Sequence, residues 1–174
     1  DAGYYTAAEA KIVLEAGRDH QLEAKMHTDA YRNIGGSTLA ADLPAVSADH
    51  LNYTTPDEMT RLAKAGVVGV VLPALDFAAA HPDPFNARAM IDAGMTLALG
   101  TNLNPGNWTE SMQLVLQLAC RNHGMSPEEA MLAATRGAAK ALSREDRIGR
   151  LAVGYQADLQ LWELSAFEDL IYRL

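Results

Sequence analysis

The sequence has little cysteine, no long apolar run and a deficit of basic residues. Cys120 is the single cysteine among 174 residues, which excludes an internal disulfide framework and suits a reducing compartment. No stretch approaches the ~20 consecutive apolar residues of a membrane span, and residues 1–5 carry neither a basic nor an apolar signal region. We therefore expect a cytoplasmic protein without a membrane partner.

The deficit of basic residues also bears on the expected partners. Lys and Arg number 14 and Asp and Glu number 22, which gives a formal net charge of -8 at pH 7. A nucleic-acid-binding protein needs a basic face opposite the phosphates, so we expect no nucleic-acid partner. The acidic balance mainly indicates a soluble surface. The partner that we expect is a small-molecule substrate.

Short apolar runs alternate with segments of helical pattern. Consecutive strand–helix units of this kind predict a parallel sheet covered by helices. The predicted strands are residues 24–27, 45–51, 67–72 and 96–100. Capping boxes mark three helix starts, and an apolar stripe runs along the first predicted helix. The boxes are Thr6 with Glu9, Thr55 with Glu58 and Ser126 with Glu129, and the stripe is Ile12, Val13, Ala16 and Leu22.

The length bounds the architecture. A chain of 174 residues holds one sizeable core, whereas a complete (β/α)8 barrel needs roughly 250 residues. We therefore expect residues 1–143 to form part of a larger barrel. The charged, glycine-punctuated segment from Ser143 to Gly154 predicts a linker, and the apolar residues Leu161 and Trp162 predict that the tail packs on another element.

Polar clusters lie where three of the predicted strands pass into loops, at residues 27–29, 49–50 and 101–106. The carboxyl ends of barrel strands meet on one face, where barrel enzymes carry their chemistry. A neutral imidazole there is a good ligand for zinc or iron, and it leaves room for a carboxylate and a water. His27 fits that role, and the next predicted strand ends in His50, a second ligand or a general base.

Two further positions leave alternatives open. Asp29 lies two residues beyond His27 on the same side of the strand, where it can orient a substrate or a water, or else cap the helix that starts near Gly35. Asn104 and Gly106 offer an amide and a backbone N–H that suit a clamp for a small carboxylate-bearing ligand, or else a simple turn. We expect the remaining histidines to be structural; they are His20, His81 and His123.

Taken together, these motifs resemble the imidazolonepropionases, amidohydrolase-superfamily enzymes of histidine breakdown. The resemblance runs from about Gly3 to Trp162. It is carried by residues 25–29, 35–41, 46–51, 71–73, 87–94, 104–106, 135–139 and 157–159.

The resemblance implies a metal-dependent (β/α)8 barrel of α/β class, with one zinc or iron ion and a homodimeric assembly. Residues 1–143 then correspond to strands 5 to 8, and residues 144–174 to a linker and one segment of a small β-sandwich. The implied reaction is hydrolysis of the cyclic amide of 4-imidazolone-5-propanoate to N-formimino-L-glutamate.

The resemblance also assigns roles to individual residues. His27 corresponds to a metal ligand and His50 to a catalytic residue beside the substrate, while Asn104 and Gly106 correspond to the loop that binds the substrate. Asn102 stands where the family has an aspartate that is both metal ligand and proton acceptor. An amide oxygen can ligate a metal, but an amide takes up no proton at neutral pH.

Further departures concern the rest of the site. Ala30 replaces the family's glutamate, which leaves Asp29 or Tyr31 to serve as the catalytic group, and the first-strand pair of histidines is absent. We therefore expect activity only together with an N-terminal half-barrel. The alternatives are another cyclic-amide hydrolase or deaminase, and a non-catalytic barrel that binds a ligand but has lost turnover through Asn102 and Ala30.

Overall fold

The computed structural model describes residues 1–172, and its centre is one parallel sheet. The four strands lie side by side in chain order. They are β1 (Lys25–Thr28), β2 (Ser47–His50), β3 (Val68–Val71) and β4 (Leu97–Leu99). Helical segments connect each strand to the next, so the chain forms part of an α/β barrel, as the sequence predicts.

The helices begin where the sequence signals place them. All three predicted capping boxes are present, and the chain leaves α3 through Gly66 at φ 74°. The helices are α1 (Ala7–Asp19), α2 (Gly36–Asp42), α3 (Pro56–Ala65), α4 (Pro73–Ala78), α5 (Ala87–Asp92), α6 (Met112–His123), α7 (Pro127–Leu132), α8 (Ala138–Ala141) and α9 (Asp169–Tyr172). Within the described residues, none of them is long and apolar enough to cross a membrane.

The main core lies between the sheet and the helices on one of its faces. Its fully buried members include Leu51, Leu62 and Val71. On the other face, Val68 and Ala98 pack against Ala141 of α8. Val68 is the first residue of β3, and Lys25, the first residue of β1, donates from its ammonium group to the Ala141 carbonyl. α8 therefore lies toward the amino ends of the strands.

A π-helical segment, Ala133–Gly137, joins α7 to α8. The segment packs directly on the backbone of β4. A Cβ atom placed on Gly137 would lie 1.9 Å from the carbonyl oxygen of Leu97. Only glycine permits this approach, so the π-helical turn and Gly137 together allow the segment to pack on the backbone of β4.

The apolar stripe of α1 does not enter the core. Ile12 is 70% exposed and Val13 is 65% exposed, and α1 has no buried residue. This helix precedes β1, which is an edge strand of the described sheet. The sequence pattern thus predicts the helix, but the face that would bury its stripe does not come from residues 1–172.

The tail is extended beyond the barrel segment. Residues 151–164 contain neither helix nor strand, and Leu161 is fully exposed. The short helix α9 returns to the barrel, where Ile171 is buried and the Arg121 guanidinium lies over the Tyr172 ring. The sandwich segment therefore stays a prediction, and residues 173–174 of the predicted tail lie outside the described residues.

His123, at the end of α6, gives the fold a predicted pH dependence. Its ring stacks on Phe85 at 3.8 Å, its Nδ1 lies 3.2 Å from the Phe85 carbonyl oxygen, and burial lowers its pKa below the usual 6.5. The unfolded state therefore binds more protons, so stability is present above about pH 6.5 and falls as the pH is lowered.

We expect the free energy of unfolding to drop between pH 7 and pH 5, and His123→Asn to reduce that drop. Asparagine can still donate to the Phe85 carbonyl but does not titrate. The measurement is urea unfolding of both proteins at the two pH values. An equal drop in both would show that His123 does not contribute.

Candidate active site

Two histidines meet at the carboxyl ends of neighbouring strands. In the register of β1 and β2, Thr28 lies opposite His50, and the His27 and His50 rings are 4.0 Å apart between centroids. His50 is only 5% exposed, and its φ of 77° turns the chain sharply out of the strand. The expectation that site residues meet at the strand ends is confirmed for His27 and His50, whereas the hydrogen bonds of Asn102 in the described residues stay within its own loop.

The protein environment keeps both rings uncharged at neutral pH. Burial lowers the pKa of His50 to about 4, and the neighbouring His27 and His81 act in the same direction. Burial also lowers the pKa of His27. Each neutral ring offers one N–H and one lone pair, which suits metal ligation or hydrogen bonding to a substrate.

The Asp1 side chain holds His27. Asp1 Oδ2 lies 3.0 Å from His27 Nε2, and the same oxygen accepts a 2.6 Å hydrogen bond from the Ala30 backbone N–H. The carboxylate is 2% exposed. Since a neutral His27 donates to the carboxylate from Nε2, its lone pair lies on Nδ1. Sequence reasoning missed Asp1, because it precedes α1 and follows no strand of this chain.

Asp29 caps α2. Its buried carboxylate accepts hydrogen bonds from the backbone N–H groups of Ile34, Gly36 and Ser37, the last at 2.8 Å, and from the Ser37 hydroxyl at 2.7 Å. These contacts confirm the capping alternative. Because they occupy the carboxylate, we assign no catalytic role to Asp29. Asp49 accepts a hydrogen bond from the Ser47 hydroxyl at 3.2 Å.

We expect Asp29→Ala to lower the free energy of unfolding by about 2 kcal/mol, because it leaves several buried donors without an acceptor. Urea unfolding provides the measurement. Asp57→Ala is the matched control, since Asp57 is an exposed residue in the first turn of α3. If the two substitutions lower the free energy of unfolding equally, the hydrogen bonds of Asp29 do not contribute to stability.

The loop after β4 carries the other predicted site residues. The Asn102 carbonyl accepts a 2.7 Å hydrogen bond from the side chain of Asn104, whose Oδ1 accepts from the Gly106 N–H at 2.8 Å. Asn104 and Asn107 also pair through their backbones. Both ends of the Asn104 amide are hydrogen-bonded inside the loop, which confirms the turn interpretation. The substrate clamp stays a prediction.

The described residues do not complete a metal site. Within residues 1–172, no three His, Cys, Asp or Glu side chains are grouped so that they could hold a metal ion. A catalytic zinc usually has three protein ligands and an open position. The described residues therefore do not form a complete site of this kind, and the ligand roles of His27 and Asn102 stay predictions.

His81, which the sequence predicts to be structural, approaches this end of the sheet. Its Nε2 is 2.8 Å from the Ala30 carbonyl oxygen. The sequence signal was its place in the segment after the third strand, on the same side of the sheet as the other strand ends.

The sequence profile described as amidohydrolase family matches residues 4–172. An imidazolonepropionase of Shouchella clausii is 42% identical over 173 residues, covering 99% of this chain and 38% of that protein. One from Halobacterium salinarum is 43% identical over 177 residues, covering 99% and 42%. The chain thus spans about two fifths of the length of these relatives.

Solved structures share the fold. An adenosine deaminase from Xanthomonas campestris with bound zinc aligns with a TM-score of 0.78 and 25% identity, over 96% of this chain and 45% of that one. An atrazine chlorohydrolase from Arthrobacter aurescens, complexed with zinc and atraton, aligns with a TM-score of 0.75 and 23% identity, over 97% and 44%. Both alignments span the described sheet and its helices.

Proposed function

The chain belongs to the amidohydrolase family, and from that premise we propose that it forms the C-terminal portion of an imidazolonepropionase. The reaction is hydrolysis of the cyclic amide of 4-imidazolone-5-propanoate to N-formimino-L-glutamate. The observation that carries the proposal is the 42% identity to an imidazolonepropionase over 99% of the chain. Activity on this view belongs to the whole protein, in which strands from another segment complete the barrel.

The whole protein is proposed to use one zinc or iron ion. Such a metal supplies a water of lowered pKa and polarises the carbonyl that is attacked. His27 is the ligand from this chain, since its ring is neutral and Asp1 fixes its tautomer. The zinc in the two similar structures supports a divalent metal. The remaining ligands have to come from other strands.

His50 orients the substrate. Its buried, neutral ring presents one donor and one acceptor beside His27, which matches the N–H and C=O groups of a cyclic amide. Asn104 and Gly106 are proposed to bind the propanoate end. The Asn102 amide accepts no proton at neutral pH, so this position cannot serve as the proton acceptor that an aspartate would provide.

The test is turnover by the whole protein, followed by the loss of substrate absorbance and by mass detection of N-formimino-L-glutamate. We expect His27→Ala to abolish metal loading and activity, and His50→Ala to retain metal but lose rate. Absence of the product in metal-loaded wild type would refute the proposed activity. Size-exclusion chromatography of the same preparation tests the proposed homodimer.

A second candidate function is ligand binding without turnover. Asn102 in place of a carboxylate and the buried methyl group of Ala30 favour it. Calorimetric binding of 4-imidazolone-5-propanoate without product formation would support this alternative.

We expect Asn104→Ala to raise KM severalfold with kcat within about twofold, because a clamp on the propanoate contributes equally to the ground and transition states. Steady-state kinetics provide the measurement. Asn107→Ala is the matched control, since Asn107 donates to the Thr101 carbonyl at 2.8 Å and has no predicted substrate contact. An equal rise in KM for both variants would indicate loop loosening instead of a lost contact.

A further inference from the structure

The loop between α4 and α5, residues 79–86, reaches back from β3 to the two loops that follow β1 and β2; we call it the bridging loop. His81 contacts the Ala30 carbonyl, three residues after His27. The Asn52 side chain, two residues after His50, donates to the Asp83 carbonyl at 3.1 Å. One loop is therefore bonded to both segments that carry the histidine pair.

The two ring nitrogens of His81 have opposite roles. A carbonyl oxygen only accepts, so Nε2 carries the hydrogen that is donated to Ala30. Nδ1 accepts from the Asp83 backbone N–H at 3.1 Å. His81 therefore spans from its own loop to the loop after β1, with Nε2 as the donor and Nδ1 as the acceptor.

Buried Asp76 of α4 fixes the other end of the bridging loop. Its carboxylate accepts from Asn52 Nδ2 at 3.0 Å and from the Phe85 backbone N–H at 3.1 Å. Hydrogen bonds to a buried carboxylate are stronger than those between neutral groups. These bonds fix the bridging loop to α4. Because His81 is part of that loop, its hydrogen bond to the Ala30 carbonyl also fixes the loop after β1.

We propose that His81 is a positioning residue that sets the geometry of the His27–His50 pair. It does so by holding the loop after β1 against the bridging loop, while Asn52 holds the loop after β2 to the same support. The role rests on the proposed function, because it is the reaction at this pair that requires the geometry. Loss of such supporting contacts typically costs 10- to 100-fold in activity.

Two substitutions separate the Nε2 contact of His81 from its Nδ1 contacts, which are the Asp83 N–H at 3.1 Å and Asn52 Nδ2 at 3.4 Å. His81→Gln places a side-chain N–H near the position of Nε2 and can still donate to the Ala30 carbonyl. His81→Asn keeps an acceptor near the position of Nδ1 for the Asp83 N–H but is too short to reach Ala30. Both replace an imidazole with an amide, so each is the matched control for the other.

Kinetics of the metal-loaded whole protein form the first part of the test. We expect His81→Asn to lower kcat about tenfold or more with KM within about twofold, and His81→Gln to restore kcat to within about threefold of wild type. Equal kcat values for the two variants, whether high or low, would overturn the proposal, because the bond to Ala30 would then make no difference.

Nitrogen-15 spectra of the histidine rings, recorded on the same proteins without substrate, form the second part. We expect His81→Asn to shift the His50 ring signals and His81→Gln to leave them near their wild-type positions. Unchanged His50 signals in both variants would overturn the proposal. If wild type shows no turnover, the proposed function fails alone, and these spectra still decide whether His81 positions the pair.

Discussion

Asn102→Asp is expected to raise the turnover of 4-imidazolone-5-propanoate by the whole protein by about 10²–10⁴-fold. That factor is the usual contribution of a positioned proton acceptor, and an aspartate accepts a proton at neutral pH whereas an amide does not. No hydrogen bond to the Asn102 side chain occurs within the described residues, since only its backbone carbonyl is an acceptor there. The new carboxylate therefore displaces no existing contact. Steady-state kinetics and metal analysis provide the measurements.

A charge-matched control excludes an effect of added negative charge. Asn86 caps α5 by accepting from the Ala89 N–H at 3.0 Å, and aspartate is an equally good cap. Asn86→Asp is therefore expected to leave turnover unchanged. If Asn102→Asp changes neither rate nor metal content, residue 102 is not part of the site, and the assignment of the loop after β4 falls with it.

Gly137→Ala is expected to lower the free energy of unfolding by about 3 kcal/mol, at the upper end of the usual cost of overpacking. The added Cβ would lie 1.9 Å from the Leu97 carbonyl oxygen and 3.0 Å from its carbon, both backbone atoms of β4, which is hydrogen-bonded to β3. Backbone of this kind cannot rotate away as a side chain does. The measurement is urea unfolding of the purified protein.

Gly17→Ala is the control for the loss of a glycine. Gly17 lies inside α1, and an added Cβ would meet only Leu22, at 3.9 Å. Alanine there should raise the free energy of unfolding by about 0.5–1 kcal/mol, because it lowers the entropy of the unfolded chain. A small effect of Gly137→Ala would show that the π-helical segment can lift from β4.

Local patterns explain how much of the fold could be predicted from the sequence. A capping box such as Thr55 with Glu58 is completed within one turn of chain, so the sequence alone determines it. The break between α7 and α8 could not be predicted in the same way. It depends on how Gly137 seats against Leu97, a contact between residues 40 positions apart.

The same distinction divides the site. His27 and His50 could be predicted because each ends a strand, and parallel strand ends meet on one face. Asp29 has the same spacing but was ambiguous, since a carboxylate beyond a strand can serve a substrate or a helix start, and only the structure shows the contacts with α2. Asp1 precedes α1 and His81 lies beyond α4, so neither directly follows a strand, which was the signal that identified His27 and His50.

The edge position of β1 has a consequence for solubility. An edge strand carries a row of unpaired N–H and C=O groups, which attract strands from other molecules unless a charge, a proline or another element protects them. Lys25 is the charged residue on β1, but its ammonium group donates to the Ala141 carbonyl at 2.7 Å and is directed toward α8. The edge thus lacks the mobile lysine that commonly prevents aggregation, so we expect residues 1–172 alone to aggregate more readily than the whole protein, in which the strands that complete the proposed barrel would cover this edge.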